Sequence, residues 1–590
     1  MKARGGMRAN LVVLIKPYSR RIFAIGLVLL AGALCELVPP LVMQRVIDDH
    51  LTPGKPQGLV SLALVYLGVV ALIQVIGFLG SYLTASTAQA ALRDLRVRLF
   101  DHFQKMPLGY YDRVPLGDTL SRCTADVDTI DTLFSSGVSM LVTDLIRLVT
   151  LGTAMVFLSP QLSLVSALTI PGLVWVTNAI RVRIREAERS NRLAVSLMNT
   201  QLQETLVGLA VIKIYNRAAA FVGRFRAALK QALNAANITS RYASVYAPIM
   251  DVMMAVVITL LIWSGVHSFF EGFQISLGTL TAFILLYQRF FDPITELGEE
   301  WQTVQSALSG VERIFEVLGI PVEEKPSTDV VADSTGSLVV ENVVFGYHPD
   351  RPVIRDVSFR VNPGEHVALV GRTGAGKSSI LHLLAGLYSP WQGTVRVAGV
   401  DPRAIPETER RRVVGVVPQV VQLFSGTVQE NLTLGDDSVP FEAIRLAARI
   451  SGAEDFIEDL PEEYATSIGN LTSRGVQLSA GQRQLLSLAR TLVWSPPVLL
   501  FDEATSAVDS ASEAKFRQAL LEQSGKRAIL TVAHRLSTAR EADRVLVMEN
   551  GRIIEQGKPG DLVKKGGRFA ALLELEAAGW DWHDSQDVDF

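Results

Sequence analysis

Residues 371 to 378, GRTGAGKS, combine the residue types that bind a chain of phosphates. They follow an apolar run, HVALV, and precede a helical pattern, which is the context that such a loop requires. Glycines let backbone N–H groups approach the phosphate oxygens, and the helix presents its positive end to them. Lys377 is placed to reach the outer phosphates, and the Ser378 hydroxyl can bind Mg²⁺. The predicted nucleotide-binding residues here are Gly371, Arg372, Thr373, Gly374, Ala375, Gly376, Lys377, Ser378 and Ser379.

A second apolar run, residues 497 to 501, ends in the carboxylates Asp502 and Glu503. An uninterrupted apolar run is typical of a buried parallel strand, and ligands bind at the carboxyl ends of such strands. We predict that Asp502 holds Mg²⁺ through its water shell and that Glu503 orients and polarises the attacking water. A solvated carboxylate at a strand end is the plainer alternative for Glu503.

Six apolar stretches precede these residues, each close to the roughly 20 residues that cross a membrane core. They lie at about residues 22–44, 59–82, 137–158, 161–182, 245–268 and 275–296. The composition agrees with membrane embedding, because the 590 residues are 49% hydrophobic and only 19% charged. Lys and Arg concentrate before the first stretch and in the two long loops, so the positive-inside rule places those loops and both termini in the cytoplasm.

The long loops carry a helical pattern of apolar residues. Leu92, Leu95, Leu99 and Phe103 recur at helical spacing. We therefore predict that membrane helices continue past the lipid as cytoplasmic extensions.

Several ionisable residues fall inside or near the predicted spans, namely Glu36, Asp144, Arg147, Asp251 and Arg289. Charges in lipid are costly, so these side chains are expected to face protein or a water-filled cavity. Asp144 and Arg147 lie three residues apart on one helical face, and their pairing is the favoured plain explanation. Glu36 precedes Pro39 and Pro40, which free backbone carbonyls for other partners. It either lines a translocation cavity or lies near the outer rim.

The domain order follows from these patterns. Residues 1–317 are predicted to form an all-α transmembrane domain with six spans, and residues 318–336 are polar and rich in helix breakers, as a linker is. Residues 337–590 are predicted to form an α/β P-loop NTPase domain. Cys35 and Cys123 have no metal-ligand or disulfide spacing and are interpreted as packing residues.

In combination, these features resemble the ATP-binding cassette (ABC) exporter family, in the form of a half-transporter with fused membrane and nucleotide-binding domains. The resemblance covers nearly the whole chain and implies ATP and Mg²⁺ as cofactors. It implies that Tyr347, in FGYHPDRP, stacks on adenine, and that Gln419, in VVPQVV, contacts Mg²⁺ and senses the membrane domain. It also implies that Asp509 belongs to the D-loop and that His534, in TVAHRL, lies near the terminal phosphate.

The string VQLSAGQRQ resembles the signature of this family. In the family, Ser479, Gly481 and Gln482 would bind the terminal phosphate of ATP held by the P-loop of a second nucleotide-binding domain. The physical basis is an anion at a helix N-terminus. One chain therefore cannot complete a site, and the implied partner is a second ABC half-transporter.

Three positions depart from the family pattern. Ala480 replaces the usual Gly and adds a methyl group near the phosphate, Ser473 replaces a common Glu, and Val508 replaces the usual Leu of the D-loop. Such deviations occur in heterodimers with one catalytic and one weak site. They favour a heterodimer over a homodimer, in which this chain supplies the catalytic half.

The resemblance implies ATP-driven export of hydrophobic or amphipathic compounds, such as drugs or lipids, by alternating access. Stalk segments near residues 111–117 and 208–213 would dock on the nucleotide-binding domains. An importer built on the exporter fold, and an ATP-gated channel or regulator, remain as alternatives. A soluble ATPase of the DNA-repair or translation type does not fit six spans, so no nucleic-acid partner is expected. Without an Arg- and Ser-rich leader, the expected location is the cell inner (plasma) membrane.

Overall fold

In the computed structural model, the described residues are 16–132, 138–270, 275–323, 336–469, 475–502, 510–533 and 535–577. The chain divides into two compact units. The first contains Met1–Gln104 and Gly117–Ile320, and the second contains Lys105–Leu116 and Pro321–Phe590. The short segment Lys105–Leu116 therefore packs with the second unit, although helices of the first unit flank it in sequence.

The described structure before residue 320 is helical. A π-helical turn, Val46–Leu51, continues the second helix. The α-helices are α1 (Ser19–Cys35), α2 (Val38–Arg45), α3 (Leu59–Lys105), α4 (Leu108–Tyr111), α5 (Leu116–Cys123), α6 (Ala125–Thr132), α7 (Val138–Leu158), α8 (Pro160–Val207), α9 (Leu209–Ile214), α10 (Ala218–Phe270) and α11 (Leu277–Leu318).

Local sequence explains where the long helices begin. The Ser159 side chain caps α8 by accepting from the backbone N–H of Leu162 at 3.4 Å, and Pro160 occupies the first turn, where its missing N–H costs nothing. The Ser276 side chain caps α11 by accepting from the N–H of Thr279 at 3.0 Å. These caps satisfy N–H groups that have no partner within the helix.

Among the described residues, five helical stretches are long and apolar enough to cross a membrane: Lys16–Leu51, Leu59–Lys105, Met140–Leu158, Pro160–Val207 and Ala218–Gly265. They coincide with most of each of the first five predicted spans, of which residues 137–139 and 266–268 lie outside these stretches. The sixth predicted span lies in α11, which is long enough but less apolar in its described part, so that span stays a prediction.

The cytoplasmic extensions predicted from the helical pattern correspond to unusually long helices. Helix α3 has 47 residues, which at about 1.5 Å per residue reach about 70 Å, against a hydrocarbon core of about 30 Å. Leu92, Leu95, Leu99 and Phe103 lie buried along one face of this helix. Their predicted helical arrangement is confirmed.

The second unit is built on three sheets. Its strands are β1 (Leu338–Phe345), β2 (Ile354–Val361), β3 (His366–Val370), β4 (Gln392–Val397), β5 (Val414–Val417), β6 (Gly426–Thr427), β7 (Ser467–Ile468), β8 (Val498–Asp502), β9 (Ala528–Val532), β10 (Arg544–Glu549) and β11 (Arg552–Gly557). A six-stranded sheet has the order β11-β10-β3-β9-β8-β5, and only the edge strand β11 pairs antiparallel. An antiparallel sheet has the order β2-β1-β4, and β6 pairs with β7.

Helices cover the central sheet of this unit. They are α12 (Lys377–Leu384), α13 (Glu407–Val413), α14 (Val428–Thr433), α15 (Phe441–Ser451), α16 (Glu454–Glu458), α17 (Ala480–Leu492), α18 (Ser510–Gln523), α19 (Leu536–Arg540), α20 (Pro559–Lys565) and α21 (Arg568–Ala577). Every residue of β3 and β9 is buried, which explains the uninterrupted apolar runs in the sequence. The predicted α/β fold of this half and the helical fold of the first half are confirmed.

Candidate functional site

The predicted site residues follow the carboxyl ends of four neighbouring parallel strands. The loop 371–376 follows β3, Gln419 follows β5, Asp502 ends β8, and His534 comes two residues after β9 in sequence. Because β3, β9, β8 and β5 are adjacent and parallel, these ends share one edge of the sheet. Ligands of open α/β sheets bind at this edge. Glu503, Asp509 and His534 themselves lie outside the described residues, as do Ser473 and Val508.

The loop between β3 and α12 has a backbone that only glycine adopts easily. Gly376 has a φ of +100°, and a Cβ there would lie 3.2 Å from the carbonyl oxygen of Val353. A Cβ on Gly371 would collide with the carbonyl oxygen of Met548. The chain thus turns from the buried strand directly into the first turn of α12, whose N–H groups face the loop.

Lys377 lies inside this loop and is only 6% exposed. Its Nζ donates to the backbone carbonyl oxygens of Gly371 at 2.5 Å and Arg372 at 3.1 Å. The loop therefore holds the positive charge of Lys377 close to the N-terminus of α12. The positive end of the helix dipole lies there too, so both charges attract an anion. An anionic phosphate chain fits this arrangement.

Ser378 and Asp502 bring two oxygen groups together beside Lys377. The Ser378 hydroxyl donates to Asp502 Oδ1 at 3.1 Å, and burial raises the pKa of Asp502. Hydroxyl and carboxylate oxygens are the ligands that Mg²⁺ takes alongside phosphates. In the described part of the chain, no three His, Cys, Asp or Glu side chains converge to hold a metal by themselves. The residues present therefore fit a Mg²⁺ that also takes oxygens from a phosphate chain.

Tyr347 lies beside the helix that begins at the loop. Its hydroxyl is 3.1 Å from Ser379 Oγ and 3.0 Å from His382 Nδ1, and both residues belong to α12. The half-buried ring packs against Phe345 and Tyr388. The structure thus places Tyr347 beside α12, with its hydroxyl toward Ser379 and His382.

Gln419 lies two residues beyond β5 and is exposed. Gln419 thus lies at the carboxyl edge of the sheet, and its contact with Mg²⁺ stays a prediction.

The VQLSAGQRQ string forms the start of α17. Ser479 is the N-cap residue, and its hydroxyl accepts from the N–H of Gln482 at 3.2 Å, while Gln482 Oε1 accepts from the N–H of Ser479 at 2.9 Å. This reciprocal pair is a capping box. Gly481 is buried, and Ser479 remains exposed. Ala480 occupies the first helical position, a conformation that alanine favours.

A polar cavity of about 260 Å³ lies among the membrane-length helices of the first unit. Glu36, at the break between α1 and α2, accepts a hydrogen bond from Arg147 on α7 at 2.6 Å. Arg289 and Asp292 of α11 also line the cavity. Glu36 therefore faces a polar cavity, and its place on a translocation path or near the outer rim stays a prediction. Arg147 pairs with Glu36, a partner 111 positions away that spacing alone does not reveal.

The two predicted docking segments occupy different units. Residues 111–116 lie in the second unit, with Asp112 and Arg113 in contact with it. Residues 209–214 form α9 in the first unit, where Val211 and Ile214 are exposed.

Sequence reasoning missed Tyr388, which contacts Asp112 and Tyr347. No motif marks it.

Comparisons with known proteins cover both units. The family described as the ABC transporter transmembrane region matches residues 22–294, and the family described as ABC transporter matches residues 354–506. An uncharacterized ABC transporter ATP-binding protein of Bacillus subtilis is 31% identical over 96% of this chain and 94% of its own length. An ATP-dependent lipid A-core flippase of Pseudomonas fluorescens is 33% identical over 85% of this chain and 84% of its own length.

A solved structure is similar over almost the whole chain. It is a bacterial Atm1-family ABC exporter with ATP bound, which matches with a TM-score of 0.77 and 26% identity over 95% of this chain and 98% of that one. The likeness includes the order of the helical unit and the α/β unit.

Proposed function

The chain belongs to the ABC transporter family, and on that premise we propose that it is one half of an exporter that moves hydrophobic or amphipathic compounds out of the cytoplasmic side by alternating access. As a family member it is an ATP-hydrolysing translocase in a membrane. The observation that carries the proposal is one chain with membrane-length helices and a phosphate loop that contains Lys377, with the Ser378–Asp502 pair beside it. The lipid substrate in the name of the Pseudomonas relative supports an amphipath as the transported class.

Each residue at the loop has a distinct task in hydrolysis. The N–H groups of the loop and of α12 bind the phosphate oxygens, and Lys377 neutralises their charge. The Ser378 hydroxyl, and Asp502 through water, would hold Mg²⁺, which would supply further positive charge to the phosphates. Glu503 orients the attacking water, and His534 lies near the terminal phosphate. Gln419 would contact Mg²⁺ and sense the membrane domain. Tyr347 stacks on the adenine.

The second half of each site comes from the partner. The exposed N-terminus of α17, with Ser479, Gly481 and Gln482, binds the terminal phosphate held by the partner's loop. ATP thus joins two nucleotide-binding domains, and hydrolysis releases them. The membrane helices have one packing when the two nucleotide-binding domains are joined and another when they are separated. ATP binding stabilises the first packing, and hydrolysis allows the second to return. We infer a heterodimer in the inner membrane with cytoplasmic termini, and the signature alanine at position 480 supports this choice.

Replacing Glu503 by Gln tests the assignment of the general base. The variant keeps the shape of the side chain but loses the carboxylate, so we expect ATP binding to persist while turnover falls by about 100-fold or more. Binding is measured with radiolabelled ATP and turnover by phosphate release, both on the assembled transporter. Lys377→Ala is the control that loses nucleotide binding itself. Normal hydrolysis by the Glu503→Gln variant would remove Glu503 from this role.

Transport in inverted membrane vesicles tests the direction. A fluorescent phospholipid and a hydrophobic dye serve as probes, and we expect ATP-dependent accumulation inside the vesicles. Depletion from the vesicles would indicate an importer built on the same fold. ATP hydrolysis that proceeds without movement of either probe, together with an ATP-dependent ion conductance, would indicate a channel.

A further inference from the structure

The segment Lys105–Leu116 is held against the second unit at both of its parts. At its start, the carbonyl oxygen of Lys105 accepts from the backbone N–H of Glu323 at 2.9 Å. Farther along, Asp112 contacts Tyr388, which follows α12 in sequence, and Arg113 contacts the backbone of Tyr347, which precedes it. Several contacts, at both ends of the segment, therefore hold it in a defined position on this unit.

The closest side-chain contact joins Asp112 to Tyr388. The Tyr388 hydroxyl donates to Asp112 Oδ2 at 2.6 Å, within the short range of hydrogen bonds to carboxylates. Burial and this hydrogen bond raise the pKa of Tyr388, so its hydroxyl stays protonated and remains a donor. Gly109 of α4 lies near the same ring, since a Cβ there would lie 4.0 Å from Tyr388 Cε1.

Tyr388 in turn packs on Tyr347. The two ring centroids are 5.3 Å apart with an interplanar angle of 90°, and Phe345 packs against both rings at 5.2 and 5.5 Å. Edge-to-face pairs of this kind fix the orientation of a ring. Arg113 also approaches the backbone carbonyl oxygen of Tyr347, at 3.5 Å.

We propose that Tyr388 is a positioning residue, which orients the ring of Tyr347 for the base of the bound nucleotide and links that orientation to Asp112 of the segment Lys105–Leu116. The inference rests on the proposed function, in which Tyr347 stacks on adenine. A movement of the segment changes the hold on Tyr347 and hence the affinity for ATP. By thermodynamic reciprocity, bound ATP stabilises the place of the segment.

The test measures KM for ATP and kcat separately on the full-length transporter with its partner in proteoliposomes. Tyr388→Phe keeps the ring and removes the hydroxyl, and Asp112→Asn weakens the same hydrogen bond from the other side. We expect each variant to raise KM for ATP by about two- to fivefold, as loss of one hydrogen bond does, with kcat unchanged. The combined variant should raise KM no further than either single change.

A matched control is Tyr464→Phe. Tyr464 is as buried as a core residue, at 6% exposure, and its hydroxyl has no hydrogen-bond partner among the residues that the structure describes. This change also removes a hydroxyl from a tyrosine of the second unit, and we expect no change in KM. A general loosening of the unit would instead shift KM in both tyrosine variants and overturn the proposal.

A further comparison separates an effect through Tyr347 from a direct effect. In a Tyr347→Ala background, Tyr388→Phe should leave KM where Tyr347→Ala has already set it. Additive increases in KM would overturn the positioning role, as would a fall in kcat at constant KM. If Tyr347→Ala itself leaves KM unchanged while Lys377→Ala abolishes nucleotide binding, the inference fails and the proposed ATP-driven function stands. Full activity of Lys377→Ala would contradict the proposed function itself.

Discussion

Among single residues, His366 shows how burial at the start of β3, the strand that leads to the nucleotide loop, affects stability. It lies on β3 and is 1% exposed, with Nε2 3.1 Å from Thr531 Oγ1. Its Nδ1 has no hydrogen-bond partner within the described ranges. Burial lowers the pKa of His366 to about 4, and the nearby charge of Asp543 offsets only part of that effect. The imidazole is therefore neutral in the folded protein at neutral pH.

This neutral histidine predicts a loss of stability in mild acid. An unfolded histidine has a pKa of about 6.5. Between pH 6.5 and about 4, the imidazole of His366 is therefore protonated in the unfolded state and neutral in the folded state. The contribution of neutral His366 to the free energy of unfolding is fully present above pH 6.5 and is lost as the pH falls from 6.5 to about 4. We expect the free energy of unfolding to drop by about 2 kcal/mol from pH 7.5 to pH 5, measured by thermal unfolding of the protein in detergent.

Carboxylates also titrate in this range, so the test needs a variant. His366→Gln cannot bind the proton and should show a smaller decrease in melting temperature between pH 7.5 and pH 5. Equal decreases in the wild-type protein and the variant would contradict the assignment.

On the scale of secondary-structure elements, the break between α1 and α2 shows how the sequence and the structure complement each other. Pro40 has no N–H, so the carbonyl oxygen of Glu36 lacks its helical donor four residues later. Arg289 Nη1 donates to that oxygen instead, at 2.5 Å. The prolines predicted the freed carbonyl, but the partner lies 253 positions away in sequence. Only the packing of α11 against α2 identifies it.

Removing this donor should destabilise the membrane unit. Arg289→Met removes the donor to the Glu36 carbonyl oxygen, a loss that costs about 1–3 kcal/mol, and we expect a lower melting temperature in detergent. Arg289→Lys keeps a cationic donor and should lose less. If both variants have the melting temperature of the wild-type protein, the Arg289 contact does not stabilise the break between α1 and α2.

The same distinction applies to the nucleotide-binding unit. The loop from Gly371 to Ser378 could be predicted because its residues are contiguous and its chemistry is set by spacing. The strands that carry it could also be predicted, since their apolar runs are uninterrupted. Tyr388 could not, because its role depends on Asp112, which lies 276 positions earlier. Long-range partners of this kind follow from tertiary packing and leave no local pattern.

For the whole molecule, Ser479 at the start of α17 has one observed task and one proposed task. Within this chain it caps its own helix with Gln482. In the proposed transporter the same exposed helix end faces the nucleotide of the partner. In that proposal, Lys377 and Ser479 of one chain belong to two different ATP sites, so that a change at each residue affects a different site.

This separation makes a heterodimer distinguishable from a homodimer. In the proposed heterodimer, the catalytic site combines the loop of this chain with the partner's signature. Lys377→Ala in this chain should then abolish ATP hydrolysis, whereas Ser479→Arg should leave most of it, because the affected site is the weak one. Both variants are assembled with the wild-type partner, and phosphate release is measured at saturating ATP.

A homodimer predicts a different pattern for the same two substitutions. Both variants would be inactive alone, since every site would contain a defect. Coexpression of the two would form mixed dimers with one intact site, because one chain supplies the loop and the other the signature. Random pairing would then restore about a quarter of wild-type activity. Recovery at that level would replace the proposed heterodimer by a homodimer, whereas retained activity of Ser479→Arg with the partner would support the division of the two sites between unlike chains.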